Sequence, residues 1–181
     1  MLTLAYTMHR GKLCHQQQDC ILIDGAIHQV YGAASTLAVA HVRGQHSAIL
    51  NVGDSQVYQV NREGQWRRLS KDHTVLQGMI DRGEASPDAE YASVYGLLEH
   101  ALCADSEESD FAIHRVLATL EPGDTLVLCS DGIHDEIGEE MLWKLFDPAL
   151  DVVAQAKVWR DAVWTHGARD NLSLVVAMIE S

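Results

Sequence analysis

Residues 120–135 of the chain read LEPGDTLVLCSDGIHD, the clearest structural signal in the sequence. The segment 121–124 is typical of a tight turn, because proline and glycine supply backbone angles that turns require. The apolar run that follows at 125–129 has the length of a strand buried on both faces. Asp131 comes two residues after this run. The stretch therefore predicts a central strand with a carboxylate at its exit.

The segments on either side predict further strands and two helices. We expect strands at 36–42, 48–52, 56–60, 66–69, 111–117 and 172–179, of which the first two pair as a hairpin through residues 43–45. Another hairpin is expected over 20–31 with its turn at Asp24-Gly25. Helices are expected at 139–146 and from an N-cap at Asp147 to His166, while 72–90 is too irregular for a long helix. A buried stripe on the second helix consists of Val152, Ala156, Trp159 and Val163. This order favours a layered α/β sandwich, a single domain over residues 1–181.

Composition and charge narrow the possible functions. The chain has 181 residues and a net charge of -13, so its surface repels phosphate backbones and anionic lipid. No apolar stretch is long enough to span a bilayer, and residues 1–12 lack the order of a signal peptide. The four cysteines show no zinc spacing. We therefore expect a cytoplasmic protein that binds neither nucleic acid nor membrane.

Three aspartates share one setting, because each lies at the end of an apolar strand beside glycine or small polar residues. They are Asp54, Asp131 and Asp170. One such aspartate alone is best interpreted as a turn residue. Three together favour a site for a hard cation such as Mg²⁺ or Mn²⁺, which prefers oxygen ligands.

Four motifs that contain these residues occur in a fixed order. They are NVGDSQVY at 51–58, LSKDHT at 69–74, LEPGDTLVLCSDGIHD at 120–135 and GARDNLSLVV at 167–176. Together they resemble successive motifs of the metal-dependent protein serine/threonine phosphatases, the type 2C (PPM) family, in their bacterial form. The resemblance covers most of the chain from Ser35 onward.

The resemblance implies an α/β (α+β) fold, a layered β-sandwich with flanking helices and a dinuclear Mn²⁺ or Mg²⁺ site at one end. In this family the two metals activate a water that attacks phosphoserine or phosphothreonine in line. By position, Asp131 and Asp170 resemble the catalytic carboxylates that bind one metal. Asp54 and Asp135 resemble ligands of a further ion, and Asp19 matches the acidic end of the family's first motif.

The sequence departs from the family pattern near its amino terminus. Cys14 stands where the family has an arginine that holds the substrate phosphate, and the nearest basic side chains are Arg10 and Lys12. The family's next element carries a bridging aspartate and two long helices, and no such block occurs between Gly32 and Ser35. The spacing favours a turn role for Asp24. The chain therefore resembles a type 2C phosphatase shortened by an internal deletion that removes one helical pair.

Two functional hypotheses follow from this pattern. The first is a serine/threonine phosphatase that uses Mn²⁺ or Mg²⁺. The second is a catalytically impaired pseudophosphatase that binds a phosphoprotein, a cognate kinase or another partner. Loss of the helical pair would leave an apolar sheet face exposed, so we expect a homodimer or a partner to cover it.

Other candidate sites receive less support from the sequence. The ten histidines show no zinc-binding spacing, so we interpret them as surface and packing residues, with a structural role for His73. The acidic run at 105–110 lacks the glycine and spacing of a calcium-binding loop. We interpret this run as a solvated connection.

Overall fold

The computed structural model describes residues 2–9, 11–13, 34–87, 89, 91–103 and 112–180. In chain order the elements are β1 (Leu2–His9), β2 (Ala34–Ser35), β3 (Leu37–Arg43), β4 (His46–Val52), β5 (Gln56–Val60), β6 (Trp66–Arg68), α1 (Val75–Asp81), a 3₁₀ turn (Ser93–Gly96), β7 (Leu102–Cys103), β8 (His114–Thr119), β9 (Thr125–Cys129), α2 (Asp131–Lys144), α3 (Val152–His166) and β10 (Leu172–Ile179). The hairpin expected over 20–31 lies outside the described residues.

Strand β9 lies at the centre of a five-stranded antiparallel sheet with the order β1-β10-β9-β5-β6. Leu128 of β9 pairs with Val57 of β5 on one side and with Val175 of β10 on the other. Val127 and Leu126 are buried on opposite faces of this sheet, in two different cores. A strand with neighbours on both edges and packing on both faces is largely shielded from water, which explains its apolar sequence. The doubly buried strand predicted from the sequence is confirmed.

A second antiparallel sheet contains β3, β4 and β8, with β4 in the middle. Strands β3 and β4 form a hairpin in which Arg43 pairs with His46. Gly44 at the turn has a φ of 61°, a left-handed angle that glycine adopts without strain. The hairpin predicted from the sequence is confirmed.

Helices α2 and α3 cover the outer face of the five-stranded sheet. Trp159 of α3 is fully buried there, and its indole N–H donates a 2.9 Å hydrogen bond to the carbonyl of Leu142 in α2. The four residues of the stripe predicted on α3 are all buried. Within the described residues, no helix has the length and apolar composition needed to cross a bilayer.

The space between the two sheets holds the second core. It consists of Ile49, Val57, Leu69, Ala118, Leu120, Leu126, Ala177 and Ile179. The described architecture thus has three layers, which are the two helices, the five-stranded sheet and the three-stranded sheet. The layered sandwich predicted from the sequence is confirmed.

Three details of the secondary structure differ from the sequence prediction. Helix α2 begins at Asp131 rather than at 139, and it is broken at Gly138, whose φ of 76° and ψ of 154° are not helical. The N-cap predicted at Asp147 is wrong, because Asp151 caps α3 by accepting a 2.8 Å hydrogen bond from the backbone N–H of Ala154. Strand β1, which pairs along β10, was not predicted.

Truncation of Trp159 tests the helical layer. We expect Trp159→Ala to lower the free energy of unfolding by about 3–5 kcal/mol, because it opens a cavity and leaves the Leu142 carbonyl without its donor. Urea unfolding followed by circular dichroism measures this change. The matched control is Trp164→Ala on the same helix, where the side chain is 42% exposed and the loss should be far smaller. Equal losses at both positions would contradict the assignment of Trp159 to the core.

Candidate active site

Strand topology brings the three strand-end aspartates to one end of the five-stranded sheet. Asp131 comes just after Cys129, the last residue of β9. Cys129 pairs with Gln56, the first residue of β5. Asp54 lies just before β5, so it meets Asp131 there. Strand β10 runs antiparallel to β9, and Asp170 precedes it at the same end. We refer to the end of the sheet that bears Asp54, Asp131 and Asp170 as the carboxylate end.

Asp54 and Asp131 interact electrostatically at the carboxylate end. Burial and the negative charge of Asp131 raise the pKa of Asp54 to about 6. Two neighbouring carboxylates in a partly buried setting repel each other when both are ionised. A divalent cation between them would relieve this repulsion, and their oxygen atoms suit Mg²⁺ or Mn²⁺.

The loop that carries Asp54 is held by residues 71–73. The side-chain amide of Asn51 donates a 2.7 Å hydrogen bond to the carbonyl of Lys71. The backbone N–H of Gly53 donates to Nδ1 of His73 over 3.1 Å, and the backbone N–H of His73 returns a 3.0 Å bond to the carbonyl of Gly53. The structural role predicted for His73 is confirmed, because it fixes the backbone next to Asp54.

The loops that carry Asp131 and Asp170 pack directly on each other. The backbone N–H of Ser130 donates to the carbonyl of Ser173, and the backbone N–H of Ser173 donates to Oγ of Ser130, both over 3.0 Å. A Cβ atom on Gly132 would lie 1.8 Å from the carbonyl oxygen of Asn171, so only glycine fits there. These contacts fix the backbones that present the two carboxylates.

Asp135 and His134 form a pair in the first turns of α2. Nδ1 of His134 lies 3.0 Å from Oδ1 of Asp135, whose side chain is 79% exposed. This hydrogen bond lowers the pKa of Asp135. Burial lowers the pKa of His134, but the hydrogen bond with Asp135 and the surrounding carboxylates outweigh it, so the net shift is upward. Within the described residues, Nε2 of His134 is buried without a hydrogen-bond partner.

His134 was not distinguished from the other histidines by the sequence. The structure places it 8% exposed and close enough to Asp54 for its charge to lower the pKa of that carboxyl. Its position three residues after Asp131, on the same helical face, is a signal that points to the carboxylate end. The interpretation of His134 as a packing residue therefore omits its electrostatic contact with the site.

The cations of Lys12 and Arg68 are engaged by other groups. The ammonium of Lys12 donates a 2.5 Å hydrogen bond to the carbonyl of Trp164 and lies 4.7 Å from the centre of that indole ring. The guanidinium of Arg68 pairs with Asp72 and lies 3.5 Å from Glu139. The position of Lys12 therefore does not support it as a substitute for the family's phosphate-binding arginine.

The described residues assemble only part of the predicted site. Asp54 and Asp131 are brought together, and Asp170 lies on the adjoining loop. Asp19, Cys14 and Arg10 lie outside the described residues. In the described ranges, no group of three or more histidine, cysteine, aspartate or glutamate side chains is arranged to hold a metal ion. The ligand roles of Asp19, Asp54, Asp131, Asp135 and Asp170 all stay predictions.

A sequence model described as Protein phosphatase 2C matches residues 13–169. The chain belongs to this family. Among curated relatives, the serine/threonine protein phosphatase PstP of Mycobacterium tuberculosis H37Rv is 26% identical over 81% of this chain and 27% of its own. The serine/threonine phosphatase stp of Listeria innocua is 26% identical over 80% of this chain and 56% of its own. The chain thus spans less than two thirds of the length of these relatives.

Two solved structures share the fold. The catalytic domain of PstP in complex with two manganese ions superposes with a TM-score of 0.81 at 18% identity, over 99% of each chain. PppA, a regulatory component of the type VI secretion system in Pseudomonas aeruginosa, gives a TM-score of 0.78 at 19% identity, over 98% of this chain and 97% of its own. These similarities agree with the layered sandwich described above.

The raised pKa of Asp54 predicts a pH-dependent stability of the metal-free protein. A carboxyl whose folded pKa is raised stabilises the fold below its unfolded pKa of 3.8, and this contribution is lost as the pH rises through about 6. We therefore expect Asp54→Asn, measured by urea unfolding with EDTA present, to be more stable than the unchanged chain at about pH 8. The advantage should shrink as the pH falls below about 6.

Asp161→Asn is the control for this series. Asp161 lies on the exposed side of α3 and pairs with Arg160 over 2.7 Å, so its replacement should change stability little at any pH. A destabilised Asp54→Asn variant at about pH 8 would contradict the repulsion inferred between the ionised carboxylates of Asp54 and Asp131.

Gly132 provides a test of the contact between the two carboxylate loops. Glycine to alanine at a helical position normally stabilises by up to about 1 kcal/mol, but here the added methyl group would strike the carbonyl of Asn171. We expect Gly132→Ala to lower the melting temperature by several degrees. Gly96→Ala is the control, because a Cβ atom there meets no atom within 4 Å. A Gly132→Ala variant as stable as the control would contradict the close loop packing.

Proposed function

We propose that this chain is a serine/threonine phosphatase that hydrolyses phosphoserine and phosphothreonine with Mn²⁺ or Mg²⁺. The observation that carries the proposal is the pairing of Asp54 and Asp131, two partly buried carboxylates at the carboxylate end of a type 2C fold. Their mutual repulsion is the electrostatic condition that a divalent cation relieves. The relatives PstP and stp are serine/threonine phosphatases, which supports the same reaction class for this chain.

The chain's own residues would orient the ligands and the substrate. Asp54 and Asp131 would hold the cation, and the loop contacts of Gly53 and Gly132 keep both backbones in place. Bound divalent cations supply a nucleophilic water at neutral pH and neutralise charge on the phosphoryl oxygens. Asp170 would complete the catalytic carboxylates from the adjoining loop, and Asp19 and Asp135 are proposed as further ligands.

Charged side chains beside the two carboxylates support this arrangement. Asp72 adds negative charge near Asp54 and His134, and it is held in place by its ion pair with Arg68. The charge of His134 opposes the rise in the pKa of Asp54. Removal of the His134 side chain would therefore disfavour ionisation of Asp54, and the ionised carboxylate is the form that binds a cation.

Turnover of a phosphothreonine peptide tests the proposal. We expect the full chain to release phosphate only when Mn²⁺ or Mg²⁺ is present, and Asp131→Asn to lower turnover by about 100-fold or more. The control is Asp161→Asn, an exposed carboxylate on α3 that pairs with Arg160, and this change should leave turnover unchanged.

Calorimetric titration with Mn²⁺ separates the two functional hypotheses. Bound metal with turnover supports the phosphatase. Bound metal without turnover in folded protein would refute it and favour a binding module for a phosphoprotein or kinase, the function that Cys14 in place of an arginine favours. Absence of both metal binding and turnover would refute the metal site itself.

A further inference from the structure

The outer face of the three-stranded sheet carries a small apolar surface bordered by cations. Side chains alternate along each strand, and Ala38, Ala40, Val42 and Val116 point inward to the core between the sheets. The opposite set therefore points outward. Its members form three rows across the sheet, namely Val39-Leu50-Arg115, His41-Ala48-Leu117 and Arg43-His46-Thr119. We refer to these nine residues as the outer face.

Leu117 marks the centre of the exposed apolar area. Its side chain is 85% exposed, although leucine in a strand is usually buried. A cavity of about 280 Å³ lies beside it, lined by outer-face residues that include His41, Arg43 and His46. The described helices α2 and α3 pack on the other sheet. An apolar side chain of a ligand therefore has a cavity to occupy on the outer face.

The charge of the outer face is opposite to that of the chain. Strands β3, β4 and β8 contain no aspartate or glutamate, whereas the whole chain has a net charge of -13. Within the described residues, no salt bridge reaches Arg43 or Arg115. Cations that have no acidic partner in the described part of an acidic protein are suited to an acidic ligand.

We propose that the outer face binds a partner protein through an acidic segment that also carries apolar side chains. Arg115 and Leu117 lie two residues apart on β8 and on the same face, so they match an extended segment that presents apolar and acidic side chains alternately on one of its faces. Apolar side chains would cover Leu117 and Ala48, and carboxylates would pair with the two arginines.

The available area and charge distinguish this occupant from a second copy. Three strands of seven residues or fewer span about 23 Å by 14 Å, or about 300 Å². A stable dimer buries about 800 Å² on each partner, so the face suits a short segment better than a globular subunit. A symmetric dimer through this face would also place Arg43 and Arg115 of one copy against the same cations of the other.

Fluorescence anisotropy with a synthetic peptide tests the proposal on the full chain. The probe is a labelled peptide of three Glu-Ser-Leu-Ser repeats, the Glu-Leu peptide, which in extended form presents glutamate and leucine on one face. The comparison probes are three Lys-Ser-Leu-Ser repeats, three Glu-Ser-Ser-Ser repeats, the Glu-Ser peptide, and a single-stranded RNA of the same length. We expect the Glu-Leu peptide to bind at least about tenfold more tightly than each comparison, with an affinity that falls as salt is added. Equal binding of the Glu-Ser peptide or tighter binding of RNA would overturn the proposal.

Charge-reversed variants localise the binding. Arg43→Glu with Arg115→Glu should weaken binding of the Glu-Leu peptide by about tenfold or more, and Leu117→Ser should also weaken it. The matched control reverses two cations in the opposite layer, Lys157→Glu with Arg160→Glu on α3, and should change the affinity by less than about twofold. Equal effects of the two double variants would overturn the proposal.

Two further measurements test whether a second copy or another segment of the chain covers the outer face instead. Sedimentation that shows a dimer dissociated by Leu117→Ser would assign the face to a second copy. Hydroxyl-radical footprinting that finds Leu117 protected in the isolated monomer would assign it to another segment of the same chain. Either result overturns the proposal, and neither depends on whether the chain hydrolyses phosphoserine.

Discussion

The pairing of β9 between β5 and β10 is the interaction on which the rest of the structure depends. Each face of β9 contributes to a different core, with Val127 facing the helices and Leu126 facing the second sheet. Its exit is fixed by the reciprocal hydrogen bonds between Ser130 and Ser173. Because the strand is held on both edges and both faces, the carboxylate that follows it has a defined position. The scaffold therefore sets the site before any ligand binds.

The same pairing has an electrostatic cost. It brings Asp131 close to Asp54 where burial weakens the screening by water, and the pKa of Asp54 rises to about 6. Functional sites often retain such unfavourable charge, because a ligand of opposite sign then binds strongly. His134 adds a compensating charge from α2. Stability and the proposed metal chemistry thus depend on the same group of side chains.

Most of the described elements could be predicted from local sequence, and the exceptions have physical causes. The apolar run of β9, the β3–β4 hairpin and the stripe on α3 follow from periodicity and turn chemistry. Strand β1 was missed because it forms an edge strand whose role arises only from pairing with β10, distant in sequence. The cap of α3 was misplaced because Asp147 instead accepts a hydrogen bond from the backbone N–H of Ala149 in a separate turn, and Asp151 caps the helix.

The sequence by itself determined the layered fold, the family motifs and the three strand-end aspartates, since these depend on residue type and spacing. Only the tertiary structure decided which carboxylates interact, because the distance between Asp54 and Asp131 depends on the sheet order rather than on their separation in sequence. It also decided that His134 is buried beside them. The cationic outer face likewise arises only when β8 joins β4, which places Arg115 and Leu117 beside side chains far away in the chain.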